Sequence, residues 1–160
     1  RHITLSTCGL INKIYELADE DLQITLAVSL HAPNDMIRNR IMPVSKANPM
    51  DKLLQACRDY VAKTNRRITF EYSLIKDVND SAENAKELAE KLKGLLCHVN
   101  LIPVNDVKER DYVRSTNEAV KRFEGILTSR GIETTVRRKL GSDIDAACGQ
   151  LRKRYKDENR

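Results

Sequence analysis

The chain has 160 residues, 41% of them hydrophobic and with no low-complexity tract, enough for one domain with its own core and unlike a disordered segment. Lysine and arginine outnumber aspartate and glutamate by 28 to 23, a net charge of +5, and no run is apolar for long enough to span a membrane as a helix. No secretory leader is evident and the sequence opens directly on an alternating strand, so the expectation is a cytoplasmic piece of something larger, with no membrane partner.

Runs rich in β-branched and aliphatic residues predict strands at about 3–7, 24–30, 68–75, 99–104 and 133–138. Between the first two, residues 12–18 read as a short helix. Residues 34–40 read as an irregular segment leading into Pro43. Residues 50–63 set Leu53, Leu54, Cys57, Tyr60 and Val61 on one helical face, and residues 81–92 do the same with Ala85, Leu88, Ala89 and Leu92. Residues 115–129 open with Ser115 and Glu118 at capping-box spacing and stop just before Gly131.

Strand–helix–strand repetition with connections of this length predicts the α/β class, with parallel strands and right-handed crossovers. The strands read as near-continuous apolar runs, as expected of a sheet covered on both faces. An open doubly wound sheet and part of a β/α barrel both fit. No G-x-G-x-x-G follows the first strand, which weakens the dinucleotide-binding version.

Chemistry gathers at the strand ends. The first finishes Leu5-Ser-Thr-Cys-Gly9, the second Val28-Ser-Leu-His-Ala-Pro33 and the fourth Leu101-Ile-Pro-Val-Asn105. Hydroxyls, an imidazole and a carboxamide thus collect at the C-terminal edge, where parallel α/β folds place ligands. Singly, Ser29 could cap a helix, His31 could be a satisfied loop histidine and Asn105 could start a turn. Together, with a thiol arriving after the last strand, they predict a pocket.

The four cysteines, Cys8, Cys57, Cys97 and Cys148, include no C-x-x-C pair, so zinc-ribbon and thioredoxin-like readings fail and reduced intracellular thiols are the default. Cys57 and Cys97 read as core, and Cys8 sits just past a strand end. Cys148 lies among alanines and glycines, where a thiolate can be reached; a half-buried structural cysteine is the alternative. Arg137, Arg138 and Lys139 precede this stretch, and Arg152, Lys153, Arg154 and Lys156 follow it. Clustered cations suit an RNA partner, or simply a solvated surface. The absence of Trp argues against a base-stacking platform.

Five runs occur here in order: Ile3-Thr-Leu-Ser-Thr-Cys-Gly9, Ala27-Val-Ser-Leu-His-Ala-Pro-Asn-Asp35, Arg67-Ile-Thr-Phe-Glu-Tyr72, His98-Val-Asn-Leu-Ile-Pro-Val-Asn105 and Gly141-Ser-Asp-Ile-Asp-Ala-Ala-Cys-Gly-Gln-Leu151. Together they resemble the RlmN-type radical-SAM RNA methyltransferases, relatives of the Cfr resistance enzymes. The resemblance implies a radical-SAM partial β/α barrel, of which residues 1–152 form roughly the C-terminal two-thirds, followed by a basic tail at 153–160. It implies methylation of C2 of an adenine in 23S rRNA and of the adenine next to the anticodon in tRNA. Ser6, Ser29, Leu30, His31 and Asn105 are then expected to line the S-adenosylmethionine site, with Cys148 as the cysteine that is itself methylated. Glu71 and Arg138 point toward the same region without an assigned role.

C2 of adenine is electron-poor and has no lone pair, so it cannot attack a sulfonium methyl. The implied route is that the Cys148 thiolate takes a methyl from one S-adenosylmethionine. A second, cleaved by an electron from a [4Fe–4S] cluster, gives a 5'-deoxyadenosyl radical that abstracts hydrogen from that methyl. The carbon radical adds to C2, and a second cysteine displaces Cys148 as a disulfide. The family's C-x-x-x-C-x-x-C cluster motif, a Gly-Glu run, the second cysteine and an N-terminal RNA-binding domain are not among these residues. The expectation is therefore no metal ligand in this chain, an electron donor acting elsewhere, and no radical step by the chain alone. An unpaired first strand predicts self-association. The alternatives are Cfr-like methylation at C8, a non-catalytic RNA-binding half-barrel and, last, an unrelated metabolic barrel enzyme.

Overall fold

The computed structural model describes residues 3–104 and 112–137; Asn105, Arg138, Cys148 and the basic tail at 153–160 lie outside the described residues. The elements alternate: β1 (Ile3–Thr7), α1 (Ile11–Asp19), β2 (Ile24–Ser29), α2 (Asp35–Ile41), a short 3-10 helix (Pro43–Ala47), α3 (Met50–Thr64), β3 (Ile68–Leu74), α4 (Ala82–Leu92), β4 (Cys97–Pro103), α5 (Asn117–Ser129) and β5 (Glu133–Val136). The predicted strands and long helices are all present, with ends moved by one or two residues.

The five strands form one parallel sheet in the order β1-β2-β3-β4-β5. This order decides between the two architectures left open by the sequence. A doubly wound sheet reverses its strand order at a switch point, whereas here every crossover advances the same way. Right-handed crossovers of that kind place each helix on the same face, as in a β/α barrel. The core confirms it: Ile14 of α1, Leu53 of α3, Leu88 of α4 and Phe123 of α5 belong to one buried cluster with alternate strand residues such as Val28, Phe70 and Leu101. The Tyr72 and Phe123 rings meet within it, centroids 5.0 Å apart.

The sheet is not apolar on both faces, contrary to the expectation from its composition. In β3, Ile68, Phe70, Tyr72 and Leu74 are buried while Thr69, Glu71 and Ser73 are only half-buried, and β4 alternates likewise. The run Ile-Thr-Phe-Glu-Tyr-Ser-Leu has period two, as a strand needs when helices cover one side only. In β2 the face that bears no helix among the described residues, the helix-free face, presents half-buried Thr25 and Ser29 and the small, buried Ala27.

Residues 34–40 are mostly helix rather than irregular chain. The Asn34 side chain accepts from the Ile37 amide, Asp35 lies in the first turn, and Arg38 and Arg40 lie in the last, which suits both ends of the helix dipole. At α5 the cap falls on Thr116, whose Oγ1 accepts from the Ala119 amide at 3.2 Å, and not on Ser115 as the capping-box spacing predicted. Ser81 and Asn84 form a reciprocal capping box at α4. β1 is an edge strand among the described residues, with Ile3 63% and Leu5 44% exposed.

Candidate functional site

Strand pairing carries the polar side chains into rows across the helix-free face. Ser29 is registered with Glu71, Glu71 with Asn100, and Asn100 with Thr135. One step toward the strand starts, Ser6, Ala27, Thr69, His98 and Glu133 form a second row. The rows are tied across strands: Asn100 Nδ2 donates to Glu71 Oε2 at 2.9 Å, and Thr135 Oγ1 lies 3.0 Å from His98 Nε2. A carboxylate, carboxamide, imidazole and hydroxyls on one face of a parallel sheet make a wet, hydrogen-bonding wall.

The wall is most elaborated where β2 ends. The Leu30 and His31 amides both donate to the Glu71 carbonyl, at 3.0 and 3.2 Å, which bends the chain over the end of β3. His31 adopts φ +58, a left-handed conformation uncommon for a residue with a side chain. Its Nδ1 accepts from the Ser73 amide at 3.0 Å and its carbonyl accepts from Asn79 Nδ2 at 2.7 Å. With Nδ1 used as an acceptor, the neutral ring carries its proton on Nε2 and is left with a donor. Burial, together with the nearby Arg38 guanidinium, lowers the His31 pKa to about 4, so the ring is neutral at physiological pH.

Across from this turn lies the end of β1. The Gly9 amide donates to Thr7 Oγ1 at 3.1 Å. Gly9 has φ +89, and a Cβ there would stand 2.9 Å from Leu53 Cδ2 and 3.0 Å from Arg38 Nη2, so only glycine fits. Cys8 is exposed at this edge, while Cys57 and Cys97 are buried, and all three are free thiols. Burial raises the Cys57 thiol to about 12 and that of Cys97 to about 11, which makes them inert core residues, as their sequence positions predicted.

Of the predicted site residues, Ser29 and His31 come together at the C-terminal edge, and Ser6 occupies the same helix-free face on exposed β1. Leu30 differs in kind: its side chain is fully buried in the core, its amide is bound to the Glu71 carbonyl and its carbonyl accepts from Arg38. Only its backbone borders the face. Asn105 and Cys148 fall outside the described residues. Sequence reading missed Arg38 and Asn79, both buried polar residues that bond this turn. A charge inside a short helix and an asparagine in a turn-like Asp-Val-Asn-Asp run carry no sign of burial.

Hydroxyls and a neutral imidazole donor at parallel strand ends fit a nucleoside-bearing small molecule such as S-adenosylmethionine. The described residues do not fit an iron–sulfur cluster: no group of three or more His, Cys, Asp or Glu side chains is placed to hold a metal, and two of the three thiols are buried. Among the described residues no helix is long and apolar enough to cross a membrane.

No family model matches the chain. A protein named "Probable dual-specificity RNA methyltransferase RlmN" from Clostridium botulinum is 62% identical over 155 residues, 97% of this chain and 45% of its own length. A protein of the same name from Clostridium tetani is 58% identical over 159 residues, 99% of this chain and 46% of its own. The solved structure of a radical SAM methyltransferase from Sphaerobacter thermophilus superposes with a TM-score of 0.88 at 55% identity, covering 92% of this chain and 43% of that one. Over nearly its whole length the chain is similar to RlmN-type radical-SAM methyltransferases. It spans less than half the length of the RlmN relatives it matches. A domain of pyruvate-formate lyase-activating enzyme from Bacteroides vulgatus, at 22% identity and a TM-score of 0.68 over 86% of this chain and 81% of that one, shares the fold.

Proposed function

We propose that this chain is the cofactor-binding and methyl-carrying part of an enzyme that methylates C2 of an adenine in 23S rRNA and of the adenine next to the anticodon in tRNA. The observation that carries the reading is the 62% identity to an RlmN relative across 97% of the chain, with its matched strand ends gathered at one polar edge. Ser6, Ser29 and His31, with the Leu30 backbone and Asn105, would hold S-adenosylmethionine. Bound there, the cofactor would supply the methyl group.

The chain's own residues then have distinct tasks. His31, neutral and protonated on Nε2, offers a hydrogen-bond donor that does not repel a sulfonium cation. Ser29 and Ser6 offer hydroxyls that donate or accept as the ligand requires. Cys148, as thiolate, accepts the methyl group; sulfur suits this because it is a nucleophile first and a leaving group later. Arg137, exposed at the end of β5, continues into Arg138 and Lys139, and this cationic run suits RNA phosphates.

The test is a nucleoside digest of 23S rRNA and tRNA from cells with and without the protein. 2-Methyladenosine present only with the protein is expected. 8-Methyladenosine instead would move the reaction to the Cfr-like position. No methyladenosine difference in either RNA would contradict an RNA-methylating enzyme.

A further inference from the structure

We propose that Arg38 and Asn79 are positioning residues that clamp the Ser29–Leu30–His31 turn from two sides and so set its affinity for the cofactor. This rests on the reading of that turn as a cofactor site. Neither residue offers a group to a ligand, because their hydrogen-bonding capacity is directed at the chain itself.

Arg38 is 0% exposed. Its Nε donates to the Leu30 carbonyl at 3.2 Å, Nη1 to the Asn48 carbonyl at 3.1 Å, and Nη2 to the carbonyls of Cys8 at 2.9 Å and Ser29 at 3.4 Å. One planar fork therefore joins the end of β1, the end of β2 and the segment that leads into α3. Strand ends leave carbonyls without a ladder partner, and a guanidinium is the one side chain with enough fixed donors to satisfy several at once. Among the described residues no carboxylate lies within ion-pair distance of it. Carbonyl dipoles, with the Asp35 carboxylate acting from beyond ion-pair distance, stabilise the charge, and its burial is tolerated because every nitrogen is bonded. Gly9 is the counterpart: the absence of a Cβ there lets Nη2 reach the Cys8 carbonyl.

Asn79, also 0% exposed, works from the β3 side. Its Nδ2 donates to the His31 and Ser73 carbonyls, both at 2.7 Å, and its Oδ1 accepts from the Ile75 amide at 2.7 Å. Its own carbonyl accepts from Tyr72 Oη at 2.8 Å, which fixes Asn79 to the core. His31 sits in left-handed backbone, a state that persists only when its surroundings over-determine it. Asn79 on the carbonyl, Glu71 on the amide and Ser73 on the ring supply that determination.

The test uses Asn79→Asp, which keeps the Oδ1 acceptor and removes the two donors, and Arg38→Gln, with Arg38→Lys as the conservative partner. Core folding is checked first by the amide spectrum around Phe70 and Phe123. The His31 ring is then followed by nitrogen NMR across a pH titration, and S-adenosylmethionine affinity by calorimetry. In the parent the ring stays neutral to about pH 4. In folded Asn79→Asp and Arg38→Gln the ring is expected to titrate higher, through the added negative charge in one and the lost positive charge in the other. The loss of the clamp is read in cofactor affinity, expected to be at least tenfold weaker, with Arg38→Lys between. Folded variants whose ring titration and affinity match the parent within twofold would overturn the proposal, as would a ring that shifts with no loss of affinity. The underlying site is checked separately in the parent by amide exchange. Cofactor protection that misses residues 29–31 would sink the cofactor reading itself and the proposal with it.

Discussion

Phe70 and Glu71 are neighbours in β3 and live in different worlds. Phe70 is fully buried under the helices, while Glu71 on the opposite face is half-buried and bonded to Asn100. The same contrast repeats along β4, where Val99 is core and Asn100 is wall. The helix-covered face holds the sheet together by apolar burial. The helix-free face contributes little to stability and is the face on which the proposed cofactor site lies. One residue of register separates the core from the proposed site.

Substitutions on the two faces should therefore differ in scale. Phe70→Ala removes a fully buried ring and is expected to cost about 3–5 kcal/mol in urea unfolding. A loss under about 1 kcal/mol would contradict the placement of the core.

His31 belongs to the proposed cofactor site and yet is coupled to folding through its proton. Its folded pKa of about 4 lies below the ordinary 6.5, so the unfolded chain takes up the proton first as pH falls. Stability from this group is complete above about pH 6.5 and is lost progressively toward pH 4, by about 3 kcal/mol in all. His31→Asn keeps an acceptor near the Nδ1 position and tolerates left-handed backbone, but it cannot titrate. Its unfolding free energy should be flatter across that window than the parent's; parallel pH curves would contradict the buried neutral ring.

Glu71→Gln, adjacent to Phe70 in sequence, should cost only about 1 kcal/mol, since one hydrogen bond to Asn100 is weakened and no core is opened. A loss comparable to Phe70→Ala would erase the contrast between the faces. The smallest effect is expected at Arg67, whose ion pair with Glu133 is exposed at the strand starts. Arg67→Ala should change thermal unfolding by about 0.5 kcal/mol or less, with most of that lost in high salt.

Much of this architecture was legible in the residues. Periods of two and 3.6 located the strands and the long helices, and the Ser-Leu-His run placed Ser29 and His31 at the right edge. The alternation in Ile-Thr-Phe-Glu-Tyr-Ser-Leu was also there to be read, but the overall apolar weight of the strands masked it. Strand order was not legible, because a doubly wound sheet and a barrel share the same local pattern. α2 escaped because seven residues give too little periodicity to register, and its cap, Asn34, is equally at home in a turn. Arg38 and Asn79 were illegible for a deeper reason: what they bond is set by chain segments far away in sequence, such as Cys8 and His31. Asn105 and Cys148 stand on the residue pattern and the resemblance, lying outside the described residues.

The most direct measurement is amide hydrogen–deuterium exchange of the protein with and without S-adenosylmethionine. The prediction is slowed exchange at residues 6–9, 29–31 and 73, where the strand ends meet, with α4 and α5 on the opposite face unchanged. Protection centred on α4 or α5, or no protection anywhere at saturating cofactor, would contradict the assignment of the helix-free face as the site of the chemistry.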